Sequence, residues 1–294
     1  GTVNRTSPEA PVPVVNLPER ALGAISALRS LHPDIGTDRV EFSLGMAGLV
    51  AKMVDALGGK APLVATPNCP IKVRVMARVP GRGYQPLCRL DSEACDPITD
   101  SEADQLLERS RQALLDGCKA ILLCDYAKGT VTPRLCDGLR RLAWDCSKVL
   151  QPPIPIAVDP GRGVDWSRYF GMIIKANEHE WAESGYVHST QCLGELALRA
   201  LIVTHGSKGM SLTTKSEETV IDGTPVDGLD PCGAGDQAMA VLGLGLSSGA
   251  RLADVCYLAD MAARMQVLRH GCVPVTAQEL EAELAKQLTS TVAA

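Results

Sequence analysis

The chain has 294 residues, of which 46% are hydrophobic and 21% are charged, a profile typical of a folded globular protein. This length suits one large α/β domain or two small ones, with a sizeable buried core. The formal net charge of −5 leaves no basic surplus to neutralise phosphates, which argues against a nucleic-acid partner. No apolar run approaches the roughly 20 residues of a membrane-spanning helix, and the first residues lack the zones of a signal peptide.

The 11 cysteines of the chain are scattered, without a C-x-x-C pair or a Cys/His cluster. Ligand pairs at the usual spacing are therefore missing, which disfavours structural zinc. In a chain of this length such cysteines are typical of reduced thiols that pack as small hydrophobic groups. We expect a cytoplasmic protein.

The opening segment is rich in proline, with Pro8, Pro11, Pro13 and Pro18 among its first 18 residues. Such a density suits an edge strand or an extended lid better than a central strand. No internal repeat, low-complexity linker or block of charge follows, so nothing in the sequence requires a domain boundary. We therefore expect a single domain over residues 1–294.

From residue 101 onward, strand-length apolar runs alternate with helical patterns. Residues 101–117 have the apolar spacing of a helix, with Ser101 as its expected N-cap and Gly117 closing it. Further elements follow in chain order: a strand in 118–129, a helix in 133–146, a strand in 154–163, a strand and a helix start in 172–184, and two strands in 200–214. This alternation predicts a mostly parallel sheet covered by helices on both faces.

A polar residue directly follows each of four apolar strand runs. These residues are Asp125, Asp159, Asn177 and Thr204. Since ligands of parallel α/β sheets collect at the carboxyl ends of the strands, their shared placement predicts one site at one edge of the sheet.

The strongest motif is GLDPCGAGD at residues 228–236, followed by a long apolar helical pattern. Gly233, Ala234 and Gly235 allow a ligand to approach the backbone closely, and their amides lie at the positive end of the helix dipole. Such a nest binds phosphate oxygens, and Asp236 beside it could accept a proton from an attacking hydroxyl. The residues alone leave open a simple glycine-rich turn with Asp236 as an ordinary N-cap.

These residues also resemble a known family. DPCGAGD resembles the DTTGAGD signature of ribokinase (PfkB) family carbohydrate kinases, with Pro231 and Cys232 in place of the two threonines. NEHE at 177–180 is similar to the family's N-x-x-E motif, THGSKG at 204–209 to its T-x-G-x-x-G segment, and residues 259–274 to the helix that closes its adenine pocket. The resemblance implies a ribokinase-like three-layer α/β/α fold with a mostly parallel central sheet. A small β lid would lie within about residues 1–20 and 70–95.

A narrower resemblance lies in the N-terminal and central segments, at residues 3–15, 72–78, 87–91, 122–129 and 158–171. These strings resemble the heptose 7-phosphate kinases of the family, which phosphorylate C1 of the sugar on the route to lipopolysaccharide heptose. The H-x-G-H motif of an attached nucleotidylyltransferase does not occur. The resemblance is therefore to the kinase alone.

The resemblance implies a role for each matched residue. Asp236 would be the base, and the amides of Gly233, Ala234 and Gly235 would hold the transferred phosphoryl group. Glu180 would order Mg²⁺ through water, with the other ATP contacts made by Asn177, Thr204, Gly206, Gly209, Ala259 and Asp260, although the family has Asn at the last position. The alternatives are a helix cap for Asn177 and Glu180 and a plain β-turn for 204–209.

The sugar-phosphate substrate would meet residues of several loops. Candidates are Gly45, Asp125, Lys128, Asp159 and Arg162, since Lys and Arg bind phosphate oxygens well. Isolated loop charges are often only solvated, which is the alternative for these four charged residues. Arg89 and Asp91 are expected in a lid strand or a subunit contact, and lid pairing would form a homodimer.

The chain also departs from the family pattern. The family's G-G-x-x-N sugar segment appears as GMAGL at 45–49, so that Met46 and Leu49 replace the second Gly and the Asn. The part of the family pattern that this sequence matches begins after the family's first strand and its acidic residue, so the chain either diverges there or omits those residues. Three functions therefore remain: a heptose-phosphate kinase, a kinase of another sugar such as a fructose phosphate, and a catalytically inactive sugar- or nucleotide-binding regulator.

Overall fold

A computed structural model of the chain describes residues 2–3, 39–40, 47–66, 71–79, 83–92, 95–150, 153–226, 230–269 and 271–292. Two compact units divide the chain. The first comprises Gly1–Leu44 and Pro67–Cys95, and the second comprises Gly45–Thr66 and Asp96–Ala294. The first unit contains the segments expected to form a lid, and the second contains the expected phosphate-binding motif.

The first unit contains four described strands. Strands β1 (Thr2–Val3) and β2 (Arg39–Val40) form a parallel pair. Strands β3 (Ile71–Val79) and β4 (Gly83–Ser92) form an antiparallel hairpin with a register shift between Val75 and Met76. A strand is thus confirmed where Arg89 and Asp91 were expected to lie in one. The four early prolines lie outside the described residues.

The second unit contains a six-stranded sheet in the order β10-β9-β8-β7-β6-β5. Its strands are β5 (Ile121–Cys124), β6 (Ile156–Asp159), β7 (Ile173–Asn177), β8 (Ala200–Thr204), β9 (Gly209–Thr213) and β10 (Glu218–Asp222). Strands β5 to β8 are parallel, whereas β9 and β10 continue the sheet in antiparallel fashion. The predicted mostly parallel sheet is confirmed.

The helices of the second unit lie between and after these strands. They are α1 (Ala47–Ala56), α2 (Asp100–Leu115), α3 (Pro133–Leu150), α4 (Glu178–Glu183), α5 (Ser189–Glu195), α6 (Ala234–Ser248), α7 (Leu252–Val267) and α8 (Ala277–Val292). Short 3₁₀ turns occupy Trp166–Tyr169 and Gly206–Lys208. No helix in the described part of the chain combines the length and apolar character that crossing a bilayer requires.

Alternate residues of the buried strands face two separate cores, as the two-residue period of a strand requires. One core takes Ile174 from β7 together with residues of α2 and α3. The other takes the neighbouring Ile173 together with residues of α1, α6 and α7. Helices therefore cover both faces of the sheet, which confirms the three-layer α/β/α arrangement. Aliphatic side chains make up most of both cores, and Trp166 and Tyr169 are the aromatic members of the first one.

The start of α2 differs from the prediction. Thr99, not Ser101, is the N-cap: its hydroxyl accepts a hydrogen bond from the Glu102 amide, while the Glu102 carboxylate accepts one from the Thr99 amide. This reciprocal capping box satisfies two backbone donors that Ser101 could not serve together. The helix ends as predicted, because Gly117 follows it with a φ of +108°.

Candidate functional site

The carboxyl ends of β5 to β8 form one edge of the sheet. Asp159 pairs with Cys124 across β5 and β6, and Asn177 pairs with Thr204 across β7 and β8. The amide of Asp125 donates a 2.9 Å hydrogen bond to the Asp159 carbonyl oxygen. The four polar residues therefore lie at the carboxyl ends of adjacent strands, at one edge of the sheet. This part of the prediction is confirmed.

Helix α6 begins at the glycine-rich motif. Its N-cap is Gly233, whose φ of +82° lies in the left-handed region that favours glycine. Gly233 has no side chain to cap the helix, so the amides of the first turn keep the anion-attracting character of a helix N-terminus. Asp236 is the third residue of the helix and not its N-cap. The alternative of Asp236 as an ordinary N-cap is therefore wrong.

Hydrogen bonds accepted by the Asp230 side chain hold this turn against the segment that follows α7. The Asp230 carboxylate accepts bonds from the amides of Cys232, at 2.9 Å, and Gly271, at 3.1 Å. The Gln266 amide group donates to the carbonyl of Gly271 at 2.8 Å. Cys232, one of the departures from the family signature, is exposed. The side chain at position 232 is therefore not needed to hold the turn, because Asp230 fixes its backbone.

The side chain of Asp236 has a partner on the opposite side of the site. The hydroxyl of Tyr126, in the loop after β5, donates a 2.7 Å hydrogen bond to its Oδ1 atom. Burial raises the pKa of Asp236, while the hydrogen bond from Tyr126 and the charge of Lys175 oppose that rise. The carboxyl group is half-buried, so a deprotonated Asp236 would be a stronger proton acceptor than an exposed aspartate.

A buried ion pair lies beside the same turn. The Nζ atom of Lys175 lies 2.7 Å from Oδ2 of Asp159 and 3.4 Å from the carbonyl oxygen of Gly235. Burial disfavours the charge on Lys175, but the carboxylates of Asp159, Glu180 and Asp236 together outweigh that effect and raise the pKa of the ammonium, with Asp159 contributing most. Burial raises the pKa of Asp159 to about 6. At neutral pH both groups are charged, and the ammonium adds positive charge to the helix N-terminus.

Sequence reasoning missed both Tyr126 and Lys175. A lysine within the otherwise apolar run MIIKA was the available signal, because a charged residue in a buried strand requires a partner. No comparable signal marked Tyr126, since its contact joins residues 110 positions apart.

In the structure, Asn177 and Glu180 form a helix cap. The Asn177 Oδ1 atom accepts bonds from the amides of His179 and Glu180, and Oε2 of Glu180 accepts one from the Asn177 amide at 2.8 Å. This is a capping box at the start of α4. The Glu180 carboxylate also acts electrostatically on Asp159 and Lys175. The capping role thus coexists with a place near the candidate site.

The segment 204–209 is a 3₁₀ turn joined to a β-hairpin. Gly206 has a φ of +59° and Gly209 a φ of +100°. A Cβ atom on Gly209 would lie 2.0 Å from the carbonyl oxygen of Ile221, so only glycine fits there. The Thr204 hydroxyl donates a 3.4 Å hydrogen bond to the Ala176 carbonyl. The local backbone explains both glycines, Gly206 through its positive φ and Gly209 through its lack of space, and their nucleotide contact stays a prediction.

The two predicted adenine contacts on α7 have their side chains inside the protein. Ala259 is fully buried in the apolar core, and Asp260 forms a 2.9 Å ion pair with Arg264. Burial raises the pKa of Asp260. Their contact with adenine stays a prediction.

The predicted sugar-binding residues have different surroundings. The buried Asp125 carboxylate accepts hydrogen bonds from the hydroxyl of Tyr169 at 2.6 Å and from the Ala127 amide at 2.9 Å, so both oxygens already have partners within the fold. Lys128 is half-buried and Arg162 is exposed. Gly45 lies outside the described residues. Asp159 therefore lies next to the candidate site, where it pairs with Lys175. Asp125 instead stabilises the local backbone through its hydrogen bonds.

The geometry fits an anion at the start of α6. A Cβ atom built on Gly235 would lie 3.3 Å from Nζ of Lys175, so glycine leaves open the space between the first turn and the ammonium. Within the described residues, no group of three or more His, Cys, Asp or Glu side chains could hold a metal ion. A magnesium ion here would therefore depend on phosphate oxygens, water and few protein ligands, which suits its ordinary coordination.

Comparisons with known proteins agree with this geometry. Residues 172–278 match the sequence model of the pfkB family carbohydrate kinases. Residues 172–278 thus resemble the sequence of a pfkB-family carbohydrate kinase. This match covers β7 to α7, including the capping box of α4 and the glycine-rich start of α6.

Curated relatives extend the similarity to known proteins over the whole length of this chain. The bifunctional protein HldE of Methylobacillus flagellatus is 32% identical over 310 residues, covering 100% of this chain and 62% of the relative. The HldE protein of Caulobacter vibrioides is 33% identical over 304 residues, covering 96% of this chain and 60% of the relative. The chain thus spans about three fifths of the length of the curated relatives it matches.

A solved structure gives the same fold. Phosphofructokinase-2 from Escherichia coli, crystallised with potassium, superimposes with a TM-score of 0.63 at 16% identity, over 82% of this chain and 87% of that protein. At this identity the likeness concerns the fold alone, which is ribokinase-like.

Proposed function

We propose that the chain is an ATP-dependent sugar kinase that phosphorylates the C1 hydroxyl of a heptose 7-phosphate. The observation that carries the proposal is the position of Asp236 in the first turn of α6, where it accepts a hydrogen bond from the Tyr126 hydroxyl and is acted on by the charge of Lys175. A base, an amide nest and a fixed cation at one point are the groups that phosphoryl transfer needs. Similarity to the HldE proteins, together with the matched strings at 72–78 and 158–171, supports the sugar.

In the proposed reaction, the Asp236 carboxylate accepts the proton of the acceptor hydroxyl. The hydroxyl oxygen bonds to the γ-phosphorus of ATP as the bond to the β–γ bridging oxygen breaks, so that ADP leaves. The amides of Gly233, Ala234 and Gly235 and the Lys175 ammonium stabilise the charge on the transferred group. Asn177, Thr204, Gly206 and Gly209 would lie along the nucleotide. A magnesium ion held near Glu180 would supply further charge neutralisation when bound.

A second candidate is a kinase of another sugar or sugar phosphate, favoured by Leu49. Where the resembled family has an asparagine for its sugar, Leu49 is 6% exposed and packs in the apolar core of α1, α6 and α7. An aliphatic residue in the core cannot hydrogen-bond to a sugar hydroxyl. The remaining sugar contacts, and a homodimer formed through the lid segments of residues 1–20 and 70–95, are part of the proposal in either case.

The test is ADP release measured by a coupled assay with heptose 7-phosphate, fructose 1-phosphate and fructose 6-phosphate. We expect turnover with the heptose phosphate to exceed the others, and to fall by about 10²–10⁴ in Asp236→Asn with ATP affinity nearly unchanged. Asp254→Asn is the matched control, because Asp254 is also the third residue of its helix but is exposed. Equal rates in wild type and Asp236→Asn would contradict the assignment of the base. A faster fructose phosphate would select the second candidate.

A further inference from the structure

Tyr126 joins the loop after β5 to the first turn of α6. Its hydroxyl donates the 2.7 Å hydrogen bond to Oδ1 of Asp236. Within the described part of the chain, no side chain donates a hydrogen bond to the other oxygen, Oδ2. We infer that Tyr126 is a positioning residue for Asp236, which fixes the rotation of the carboxylate and leaves Oδ2 to accept the substrate proton. The inference rests on the proposed role of Asp236 as the base.

The backbone on both sides of Tyr126 is fixed. Asp125, which precedes it, is 3% exposed, and its Oδ2 atom accepts a 2.6 Å hydrogen bond from the hydroxyl of Tyr169. Its Oδ1 atom accepts a bond from the amide of Ala127, which follows Tyr126. Ala127 has a φ of +56°, a conformation that costs a non-glycine residue on the order of 1 kcal/mol. The loop holds this strained conformation because Asp125 ties it down.

Gly161, in the loop after β6, lies directly against this segment. A Cβ atom at Gly161 would approach the carbonyl oxygen of Asp125 to 2.7 Å and the carbonyl carbon of Tyr126 to 3.0 Å. Both contacts involve backbone atoms, which cannot turn aside as a flexible side chain can. Glycine at this position therefore lets the two loops pack closely enough for Tyr126 to reach Asp236.

The charged and titratable groups that face Asp236 come from four elements. They are Cys124 of β5, Tyr126 after it, Asp159 of β6, Lys175 of β7 and Cys272 after α7. Burial raises the pKa values of the two thiols and of the Tyr126 phenol well above their usual ranges, so these groups stay neutral at working pH. Tyr126 is therefore always a donor toward Asp236. Together with Lys175 it favours the charged carboxylate against the effect of burial.

The direction of the expected pH effect follows from these contacts. A hydrogen bond donated to a carboxylate stabilises its charged form and lowers its pKa. Tyr126→Phe removes the bond, so the pKa of Asp236 rises further above its usual value. A base that is protonated at higher pH loses activity sooner on acidification. The acid limb of the kcat profile should therefore move to higher pH, with kcat on that limb reduced about tenfold or more, the size of one hydrogen bond to a charged group.

The experiment measures kcat against pH for wild type, Tyr126→Phe and the control Tyr257→Phe. Tyr257 also donates a hydrogen bond, of 2.6 Å to Gln287, but lies on the exposed side of α7. We expect a shifted acid limb and an unchanged KM for ATP in Tyr126→Phe, and a wild-type profile in Tyr257→Phe. Superimposable profiles for all three proteins would overturn the inference, and so would a rate loss that is equal at every pH.

Two further variants separate this inference from the proposed function. In an Asp236→Asn background, Tyr126→Phe should cause no further loss, because the titrating carboxylate is absent. Turnover that survives Asp236→Asn would refute the base itself, whereas an inactive Asp236→Asn beside a normal Tyr126→Phe profile would refute only the positioning role. If the melting temperature shows that Tyr126→Phe is unfolded, Gly161→Ala replaces it. That variant keeps the hydroxyl but displaces its loop, and should move the acid limb in the same direction. An unmoved limb would overturn the inference.

Discussion

Lys175 and Asp159 form a buried ion pair on adjacent strands, with 2.7 Å between Nζ and Oδ2. Their side chains are 4% and 11% exposed, so neither charge is compensated by bulk water. The same ammonium lies 3.4 Å from the Gly235 carbonyl. The pair therefore connects strands β6 and β7 to the start of α6, which we propose as the phosphate site. We expect it to contribute both to the stability of the fold and to neutralisation of the phosphate charge.

Lys175→Met should destabilise the protein by roughly 3–5 kcal/mol, because it leaves a buried carboxylate without a partner. Adding Asp159→Leu should recover most of that loss, since two apolar residues need no partner, yet ATP turnover should stay low. Urea unfolding and the coupled kinase assay measure the two effects. Lys148→Met is the control, because its pair with Asp145 is exposed and worth at most about 1 kcal/mol. Full turnover in the double variant would remove Lys175 from the reaction.

Two glycines of the motif should respond differently to alanine. At Gly235 the new Cβ atom would enter the space beside Lys175, whereas alanine itself is favoured over glycine in a helix by about 1 kcal/mol. Gly235→Ala should therefore keep or raise the melting temperature while lowering kcat/KM for ATP by about tenfold or more. At Gly233, with its φ of +82°, alanine should cost about 1–2 kcal/mol through backbone strain. Unchanged ATP kinetics in a stable Gly235→Ala would contradict the anion site.

Leu49→Asn, which restores the family's residue, should damage stability without improving activity. Leu49 is a core residue of α1, and an asparagine would lose its apolar contacts and bury an amide, at a cost of roughly 2–5 kcal/mol. Thermal unfolding should show a large drop in Tm, compared with little change for Leu288→Asn on the exposed side of α8. An asparagine variant that is stable and turns over sugar faster would show that this position faces the substrate.

Local patterns predicted most of the second unit correctly. The apolar runs before Asp159, Asn177 and Thr204 form parallel strands, because a strand covered by helices on both faces is apolar along its whole length. Their polar ends lie at one edge of the sheet. The motif at Gly233 likewise becomes a helix start. Each of these signals lies within a few consecutive residues.

Contacts between distant residues could not be predicted in the same way. The bond between Tyr126 and Asp236, and that between Tyr169 and Asp125, depend on how loops of different strands meet. The N-cap of α2 was misplaced at Ser101, although the pair Thr99 and Glu102 already had the spacing of a capping box. That error was avoidable from sequence, whereas the Asp236 contact was not.

The last prediction concerns Glu180, whose carboxylate caps α4 through Oε2. A glutamine can accept the same hydrogen bond from the Asn177 amide, so Glu180→Gln removes the negative charge while keeping the capping box. If Glu180 orders magnesium through water, the variant should need several-fold more Mg²⁺ for half-maximal rate, because a neutral amide attracts a hard cation less. Its KM for sugar should change little.

The matched control is Glu102→Gln, which makes the same exchange in the capping box of α2. Both variants lose one carboxylate from the first turn of a helix, so each loses a favourable interaction with the helix dipole. Only Glu180→Gln should shift the magnesium titration of the kinase rate. If the titrations of wild type, Glu180→Gln and Glu102→Gln superimpose, the charge of Glu180 has no effect on the metal. Glu180 would then act only as a cap of α4.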